Sequence, residues 1–246
     1  NETIEYDAIG NPTTYLGASL KWNGRQLTNY TTDTTQVNYT YDVDGLRKSK
    51  VVTKNGSSTT HTYQYVGDQL RYEARGEKRF YYFYDATGSL TAIGYYPNAT
   101  SKLYMYYILT NSRGDVEGIY NGSGTLLASY EYDAWGKVIS VKNASGTDIS
   151  TNENHIANLN PIRYRGYYYD TETELYYLQS RYYDPQVARF LNADSQIPGV
   201  GGDVLGNNVF AYCFNNPVNM SDPTGHWPNW GKLVNGLSLA ATGFFA

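Results

Sequence analysis

This sequence has a single cysteine, no large excess of either sign of charge and no long apolar run. One cysteine, Cys213, excludes an internal disulfide framework and a cysteine-rich metal site. The 19 basic and 23 acidic residues are mixed and form no basic stripe that could neutralise phosphates, which argues against nucleic acid as a partner. No apolar run reaches the roughly 18 residues that a spanning helix needs, so we predict no transmembrane segment.

Motifs for metals, cofactors and nucleophiles are missing as well. His61, His155 and His226 stand far apart in the sequence without the spacing of metal ligands, so we predict no metal site. There is no Gly-x-Ser-x-Gly elbow and no phosphate-binding glycine loop, and we predict no cofactor. Cys213 lies in an apparent strand, where we expect it to be a small buried residue and not a nucleophile.

Tyrosine and glycine are the abundant residues. Tyr occurs 28 times and Gly 24 times among 246 residues. Aromatic and β-branched side chains suit a half-buried pleated surface, while Gly, Asn and Asp suit the turns between strands. Helix-forming residues become frequent only in the last fifteen positions. The composition therefore predicts an all-β protein with a short C-terminal tail, Gly231–Ala246, of mixed helical character.

A Tyr-Asp-x-x-Gly unit recurs along the chain, and its chemistry is that of a hairpin. Tyr ends a strand, Asp bonds the backbone amides ahead of it, and Gly takes the positive φ that reverses the chain. A single hairpin is marginally stable, so we expect the units to stack into one continuous sheet. The complete units and two variants that lack the glycine are Tyr6–Gly10, Tyr41–Gly45, Tyr84–Gly88, Tyr132–Gly136, Tyr169–Asp170 and Tyr183–Asp184.

Polar, turn-rich stretches between these units predict the loops. The two longest are Asn143–Asn160 and Gln196–Asn208. Arg113-Gly114-Asp115 matches an integrin-binding tripeptide, but its surroundings indicate an ordinary turn of the repeat. The chain starts without Met or a signal-like segment, so we expect it to be a piece of a longer protein.

An ordered string of motifs fills the C-terminal third of the sequence. It consists of Asn160–Asp170, Glu174–Pro185, Arg189–Asp194 and Asn215–Gly225. This string resembles the Rhs repeat-associated core of bacterial polymorphic toxins, and the upstream Tyr-Asp-x-x-Gly units resemble the YD repeats of the same family. The resemblance implies three parts: YD repeats at residues 1–159, the core at 160–227, and the start of a variable toxin region at 228–246.

The same resemblance implies a fold and a role. Stacked YD-repeat hairpins would form part of a spiralling β-sheet shell, whose end the core plugs and which encapsulates the toxin. A spiral also leaves few strand edges exposed to aggregation. The implied role is structural, in a toxin-delivery protein that is secreted or held at the bacterial cell surface. Its partners would be its own C-terminal toxin domain and the upstream repeats, with a secretion apparatus or a cell-surface ligand as further candidates.

Self-cleavage is the catalytic activity that the resemblance implies. Asp194 and Asp222 would be the catalytic aspartates, and the chain would be cut between His226 and Trp227. The sequence departs from the family pattern: Ala193–Ile197 stands where the family has Arg-Asp-Pro-x-Gly, and His226 replaces a usual Leu. The alternative interpretation is that both aspartates only cap turns.

A binding function is the third interpretation. Aromatic clusters such as Tyr104-Met105-Tyr106-Tyr107 could stack on carbohydrate or contact a protein at a cell surface. We expect most of these rings to pack within the sheet instead.

Overall fold

The computed structural model describes residues 3–194 and 208–226. Within these ranges, thirteen strands form one antiparallel sheet in which every strand pairs with its neighbours in sequence. These strands are β1 (Thr14–Tyr15), β2 (Ala18–Asn23), β3 (Gln26–Thr31), β4 (Thr35–Tyr41), β5 (Arg47–Lys54), β6 (Ser57–Val66), β7 (Gln69–Arg75), β8 (Lys78–Tyr84), β9 (Leu90–Tyr96), β10 (Tyr104–Thr110), β11 (Val116–Tyr120), β12 (Leu126–Tyr132) and β13 (Val138–Asn143). We call this sheet the wall.

The chain then leaves the wall and forms a second, smaller unit, which we call the core domain (residues 156–226). Its described residues, 156–194 and 208–226, contain one short helix, α1 (Ile156–Leu159), and two 3-10 turns, Tyr164–Gly166 and Cys213–Asn215. Four further strands pair in sequence order: β14 (Tyr168–Asp170), β15 (Leu175–Leu178), β16 (Arg181–Asp184) and β17 (Arg189–Phe190). The all-β prediction and the pairing of successive hairpins are both confirmed.

The four complete Tyr-Asp-x-x-Gly units form chain reversals, as predicted: one precedes β1, and the others join β4 to β5, β8 to β9 and β12 to β13. At Asp42, one carboxylate oxygen accepts bonds from the amides of Asp44 (3.0 Å) and Leu46 (2.9 Å), while Gly45 takes a φ of 85°. The amide or carboxylate oxygen of the corresponding residue accepts the same two bonds in six other turns, at Asp7, Asp85, Asn111, Asn121, Asp133 and Asn143. The Asn111 turn contains Arg113–Asp115, which is therefore an ordinary turn of the repeat.

Side-chain alternation gives the wall one buried and one open face. In β4, Val37 and Tyr39 are buried while Gln36 and Asn38 are exposed, the period of two that a sheet covered on one side requires. The core domain covers the buried face, and the hydrophobic core runs continuously from wall residues into β14–β16. All four residues of β15 are buried, because this strand lies inside the assembly.

Contacts from the core domain require the wall to curl. Strands lie about 4.8 Å apart, so thirteen of them laid flat would span roughly 58 Å. Yet Asp184 of β16 accepts a bond from Tyr15 of β1 (2.9 Å), while Tyr176 of the adjacent strand β15 bonds the carbonyl of Gly136, just before β13 (2.8 Å). Neighbouring strands of the core domain thus touch opposite ends of the wall, which must wrap around them.

Some local predictions from sequence were wrong. Cys213 is fully buried as expected, but it lies in a 3-10 turn and not in a strand. Cys213, Phe214 and Asn215 all have a positive φ (51°, 49° and 59°), and a run of left-handed residues cannot continue an extended strand. The predicted loop Asn143–Asn160 contains α1. The second predicted loop, Gln196–Asn208, lies almost wholly outside the described residues, as does the tail Gly231–Ala246.

Several aromatic rings of the wall are exposed. Tyr104 and Tyr107, named above as candidates for sugar stacking, are 40% and 49% exposed, and Tyr81 and Phe83 are similarly open. Carbohydrate binding by these rings stays a prediction. Among the helices in the described part of the chain, none is long and apolar enough to cross a membrane.

Candidate functional site

The two aspartates singled out from the sequence come together at a single cation. Nη2 of Arg181, the first residue of β16, lies 2.9 Å from Oδ2 of Asp194 and 3.4 Å from Oδ2 of Asp222. All three side chains are buried. The fold thus places Asp194, which follows β17, and Asp222, in the last described segment, at one site.

His226 contacts this cluster through its backbone amide, its imidazole ring and its backbone carbonyl. Its backbone amide donates to Oδ1 of Asp222 (3.1 Å), and its ring Nδ1 lies 3.3 Å from Oδ1 of Asp194. Its carbonyl oxygen lies 3.5 Å from Nη2 of Arg181. The residue predicted to precede the cut is therefore held directly between the two predicted catalytic aspartates. We call Arg181, Asp194, Asp222 and His226 the aspartate site.

The Asp-Pro-x-Gly turn is clamped against the turn between β15 and β16. Ser180 donates to the carbonyl of Thr224 through both its hydroxyl (2.6 Å) and its amide (3.2 Å). A Cβ on Gly225 would stand 2.7 Å from the carbonyl oxygen of Leu178, and the φ of Gly225 is 73°. Only glycine fits there, so the clamp fixes the path of the chain into His226.

Burial and the neighbouring charges act in opposite directions on the pKa of Asp222. Burial raises the pKa of Asp222, although Arg181 and the amides of Gly225 and His226 pull it down. Burial also lowers the pKa of Arg181, against the attraction of both aspartates. Two carboxyls held close together at a buried site can divide the roles of acid and base between them.

Sequence reasoning missed Arg181 and Ser180 as parts of this site. Both lie in the Glu174–Pro185 motif, which carried the family resemblance without assigning either residue a role. Their spacing in the sequence does not indicate a shared site, because Arg181 and Asp222 come into contact only when the whole core domain has packed.

A second polar cluster joins the wall to the core domain. Arg47 of β5 donates to Asp170 of β14 (2.5 Å), Lys50 donates to the same carboxylate (2.6 Å), and Lys50 also bonds Glu172. Burial acts to raise the pKa of Asp170, but Arg47 and Lys50 outweigh it and hold that pKa below the usual value. We call the interface between the wall and the core domain the seam, and these four residues the seam cluster.

Tyrosine rings enclose the Arg47 guanidinium on several sides. Its carbon lies 4.4 to 5.6 Å from four ring centroids, within the range of cation–π attraction. Two of these rings come from the wall and two from the core domain: Tyr39, Tyr63, Tyr168 and Tyr177. Aromatic rings from both sides of the seam therefore surround the charge of Arg47, whose side chain is fully buried.

Glu73 of β7 forms a neighbouring polar centre in the same seam. It accepts bonds from Arg75 (2.7 and 3.0 Å), from Tyr82 (2.8 Å) and, across the seam, from Tyr168 (2.8 Å). His61 Nδ1 lies 3.0 Å from the same carboxylate. Burial alone would raise the pKa of Glu73, but Arg75 and the bond with His61 lower it well below its usual range.

Comparison with known proteins identifies the family of this fold. A family model described as Teneurin YD-shell matches residues 71–218. The chain belongs to the Teneurin YD-shell family. The resemblance to YD-repeat proteins derived from the sequence is thus confirmed.

Relatives of this YD-shell chain include bacterial nucleases and a bacterial toxin. The chain is 38% identical over 233 residues to the tRNA3(Ser)-specific nuclease WapA of Bacillus spizizenii, and 36% identical over 235 residues to the tRNA nuclease WapA of Bacillus subtilis. Both matches cover 92% of this chain but only 9% of the relative. Toxin protein Tse5 of Pseudomonas aeruginosa is 45% identical over 65 residues, 26% of this chain and 5% of Tse5.

Solved structures show the same YD-shell fold. The crystal structure of TcdB2-TccC3 superposes with a TM-score of 0.70 at 24% identity, over 89% of this chain and 11% of that one. The Tc holotoxin pore of Photorhabdus luminescens gives a TM-score of 0.71 at 24% identity, over 91% and 11%. At this identity the likeness establishes the fold alone.

Breaking the seam cluster should destabilise the protein strongly. Arg47→Met removes the cation from a fully buried pair and leaves Asp170 with less compensation, so we expect a loss of about 3 kcal/mol in the free energy of unfolding. Lys48→Met, at the exposed neighbouring position, is the matched control and should change it by less than about 0.5 kcal/mol. Urea unfolding followed by tyrosine fluorescence measures both, and equal midpoints would contradict the assignment.

Stability should fall as the pH drops from about 6.5 towards 4. Burial, and then the charge of Lys50, lower the pKa of His61 from 6.5 to about 4, so in that window the unfolded chain binds a proton that the folded chain does not. The slope contributed by His61 approaches about 1.4 kcal/mol per pH unit. His61→Gln should flatten the curve, and His155→Gln, outside the seam, should flatten it less. An unchanged slope in His61→Gln would show that this histidine does not titrate as described.

Proposed function

We propose that this chain is the closing end of a YD-repeat shell in a bacterial toxin that is secreted or displayed at the cell surface. In this proposal residues 1–159 are shell wall, residues 160–227 are the core that closes its end, and residues 228–246 begin the toxin region. The shell encloses the toxin region of the same polypeptide until delivery. Its partners are that region and the repeats that precede the wall.

The return of the chain across the buried face is the observation that carries this proposal. After β13 the chain stops adding strands to the wall and packs the core domain against strands from β12 to β1. Because the chain that follows the last wall strand packs against the inner face of the wall, it closes the shell at that end. Buried charges and tyrosine rings from both the wall and the core domain meet along this interface.

The relatives support a role in toxin delivery. WapA of both Bacillus species is named as a tRNA nuclease and Tse5 as a toxin, and this chain spans less than a tenth of each. The region shared by proteins named for different activities is expected to carry what they have in common, which is the shell. We expect the toxic activity to reside in other parts of the polypeptide.

Encapsulation predicts protection from proteases. In the full-length protein, the region after residue 226 should survive digestion for as long as the wall does, because a protease cannot reach the interior of a closed sheet. The same region expressed alone is the control and should be digested at least about tenfold faster, since cleavage follows the accessibility of the open form. Mass spectrometry of timed digests measures both, and loss of the toxin region from an intact wall would contradict encapsulation.

We infer self-cleavage after His226 as a second activity. The convergence of Asp194, Asp222 and His226 at Arg181 favours it over mere turn capping. Asp194 lies within reach of His226, and the raised pKa of Asp222 suits a proton donor. Cleavage would free the toxin region within the shell without opening the wall.

Asp222→Asn should abolish this cleavage. Its side-chain oxygen can still accept the amide bonds of the turn, but it can no longer exchange a proton, so the uncut chain should accumulate. Asp42→Asn is the matched control and should cut normally, because Asn121 and Asn143 form the same kind of turn elsewhere in the wall. The intact masses of the chain with its native downstream sequence give the answer. A fragment ending at His226 in Asp222→Asn would eliminate the proposed role.

A further inference from the structure

We propose that Arg181 is a catalytic residue of the self-cleavage reaction, which stabilises the negative charge that develops on the carbonyl oxygen of His226. The inference rests on the self-cleavage proposed above and adds a group to which neither the sequence motifs nor the relatives give a role. The alternative is that Arg181 only holds the core domain together.

One nitrogen of Arg181 faces the carbonyl oxygen of His226 and a carboxylate oxygen of each aspartate. Nη2 lies 3.5 Å from the carbonyl oxygen of His226, 2.9 Å from Asp194 and 3.4 Å from Asp222. The carbonyl contact is at the outer limit of a hydrogen bond. It should shorten when the oxygen becomes an anion, and this is the geometry of a group that binds the transition state more tightly than the ground state.

The rest of the guanidinium is fixed in place before any reaction. Nη1 donates to the carbonyl of Val209 (3.0 Å), Nε donates to the carbonyl of Gly225, and the group lies 3.6 Å from the centre of the Phe190 ring. These contacts leave Nη2 directed at the aspartate site. The side chain is 5% exposed, so its charge acts with little screening by water.

Lysine could not reproduce this arrangement. An ammonium group has one nitrogen, whereas Arg181 uses three nitrogens on three differently placed sets of acceptors. Arg181 also supplies the positive charge beside Asp194. The residue that precedes Asp194 in the sequence cannot supply it, because this residue is the apolar Ala193.

The reaction balances without any further reactant besides water. A water oxygen bonds to the carbonyl carbon of His226 while one aspartate accepts a water proton, and the carbonyl oxygen becomes the anion that Arg181 faces. The bond from that carbon to the nitrogen of Trp227 then breaks, and the nitrogen takes up a proton from the other aspartate. The products are a chain ending in the carboxylate of His226 and a chain beginning with the amine of Trp227.

The test measures the rate of cleavage in chains that carry the native downstream sequence. Each variant is released from urea into buffer, and the fragment ending at His226 is followed by mass spectrometry. We expect Arg181→Lys to cut on the order of 10²- to 10³-fold more slowly than the unmodified chain, the usual effect of losing one donor to a developing oxyanion. The matched control is Arg163→Lys, which removes another buried arginine from the core domain but lies over the Tyr169 ring, outside the aspartate site.

The pH profile separates catalysis from a structural role. Arg181 lowers the pKa of Asp222, so in Arg181→Gln whichever limb of the rate profile reports Asp222 should move to higher pH. Arg163→Gln should lose stability without moving either limb.

The outcomes are distinguishable. If the unmodified chain stays uncut, self-cleavage itself fails. If it cuts and folded Arg181→Lys cuts at the same rate, or if the Arg181→Gln profile does not move, the role of Arg181 is refuted while self-cleavage stands. Near-ultraviolet circular dichroism of the buried tyrosines reports folding. Should either variant not fold, citrulline at position 181, which keeps the shape and loses the charge, should show the same 10²- to 10³-fold loss, and full activity would refute the role.

Discussion

The wall can bury its inner face only by wrapping around something, and this constraint organises the molecule. Thirteen strands joined by short reversals would otherwise form a flat ribbon with one apolar side open to water. Contacts from β15 and β16 to opposite ends of the wall show that the core domain fills this role. The curvature of the sheet and the position of the core domain therefore depend on each other.

Tyrosine makes this arrangement possible with few aliphatic residues. Its ring supplies apolar area, and its hydroxyl satisfies a polar partner that burial would otherwise leave unpaired. Tyr168 illustrates both uses: its ring faces the Arg47 guanidinium, and its hydroxyl donates to Glu73. Buried charges in the seam are thus surrounded by rings and hydroxyls together.

The sequence predicted the repeating part of the fold well and the assembled part poorly. Hairpin reversals such as Asp42–Gly45 are local, so spacing and turn chemistry were sufficient to find them. The seam could not be predicted from the sequence, because Arg47 and Asp170 come together only when the core domain docks on the wall. Cys213 was misassigned to a strand because its aromatic neighbours suggested an extended segment, whereas its backbone is left-handed. The aspartate pair came from family resemblance, and Arg181 emerged only from three-dimensional packing.

Strand order in the wall has a consequence for how the protein is made. Because each strand pairs with the one synthesised just before it, hairpins can form successively as the polypeptide leaves the ribosome, without waiting for distant partners. The bond from Tyr15 to Asp184 joins residues that are 169 positions apart and can form only late. Biosynthesis would therefore yield an open, partly exposed ribbon first, and the emergence of the core domain would be the moment at which it rolls up.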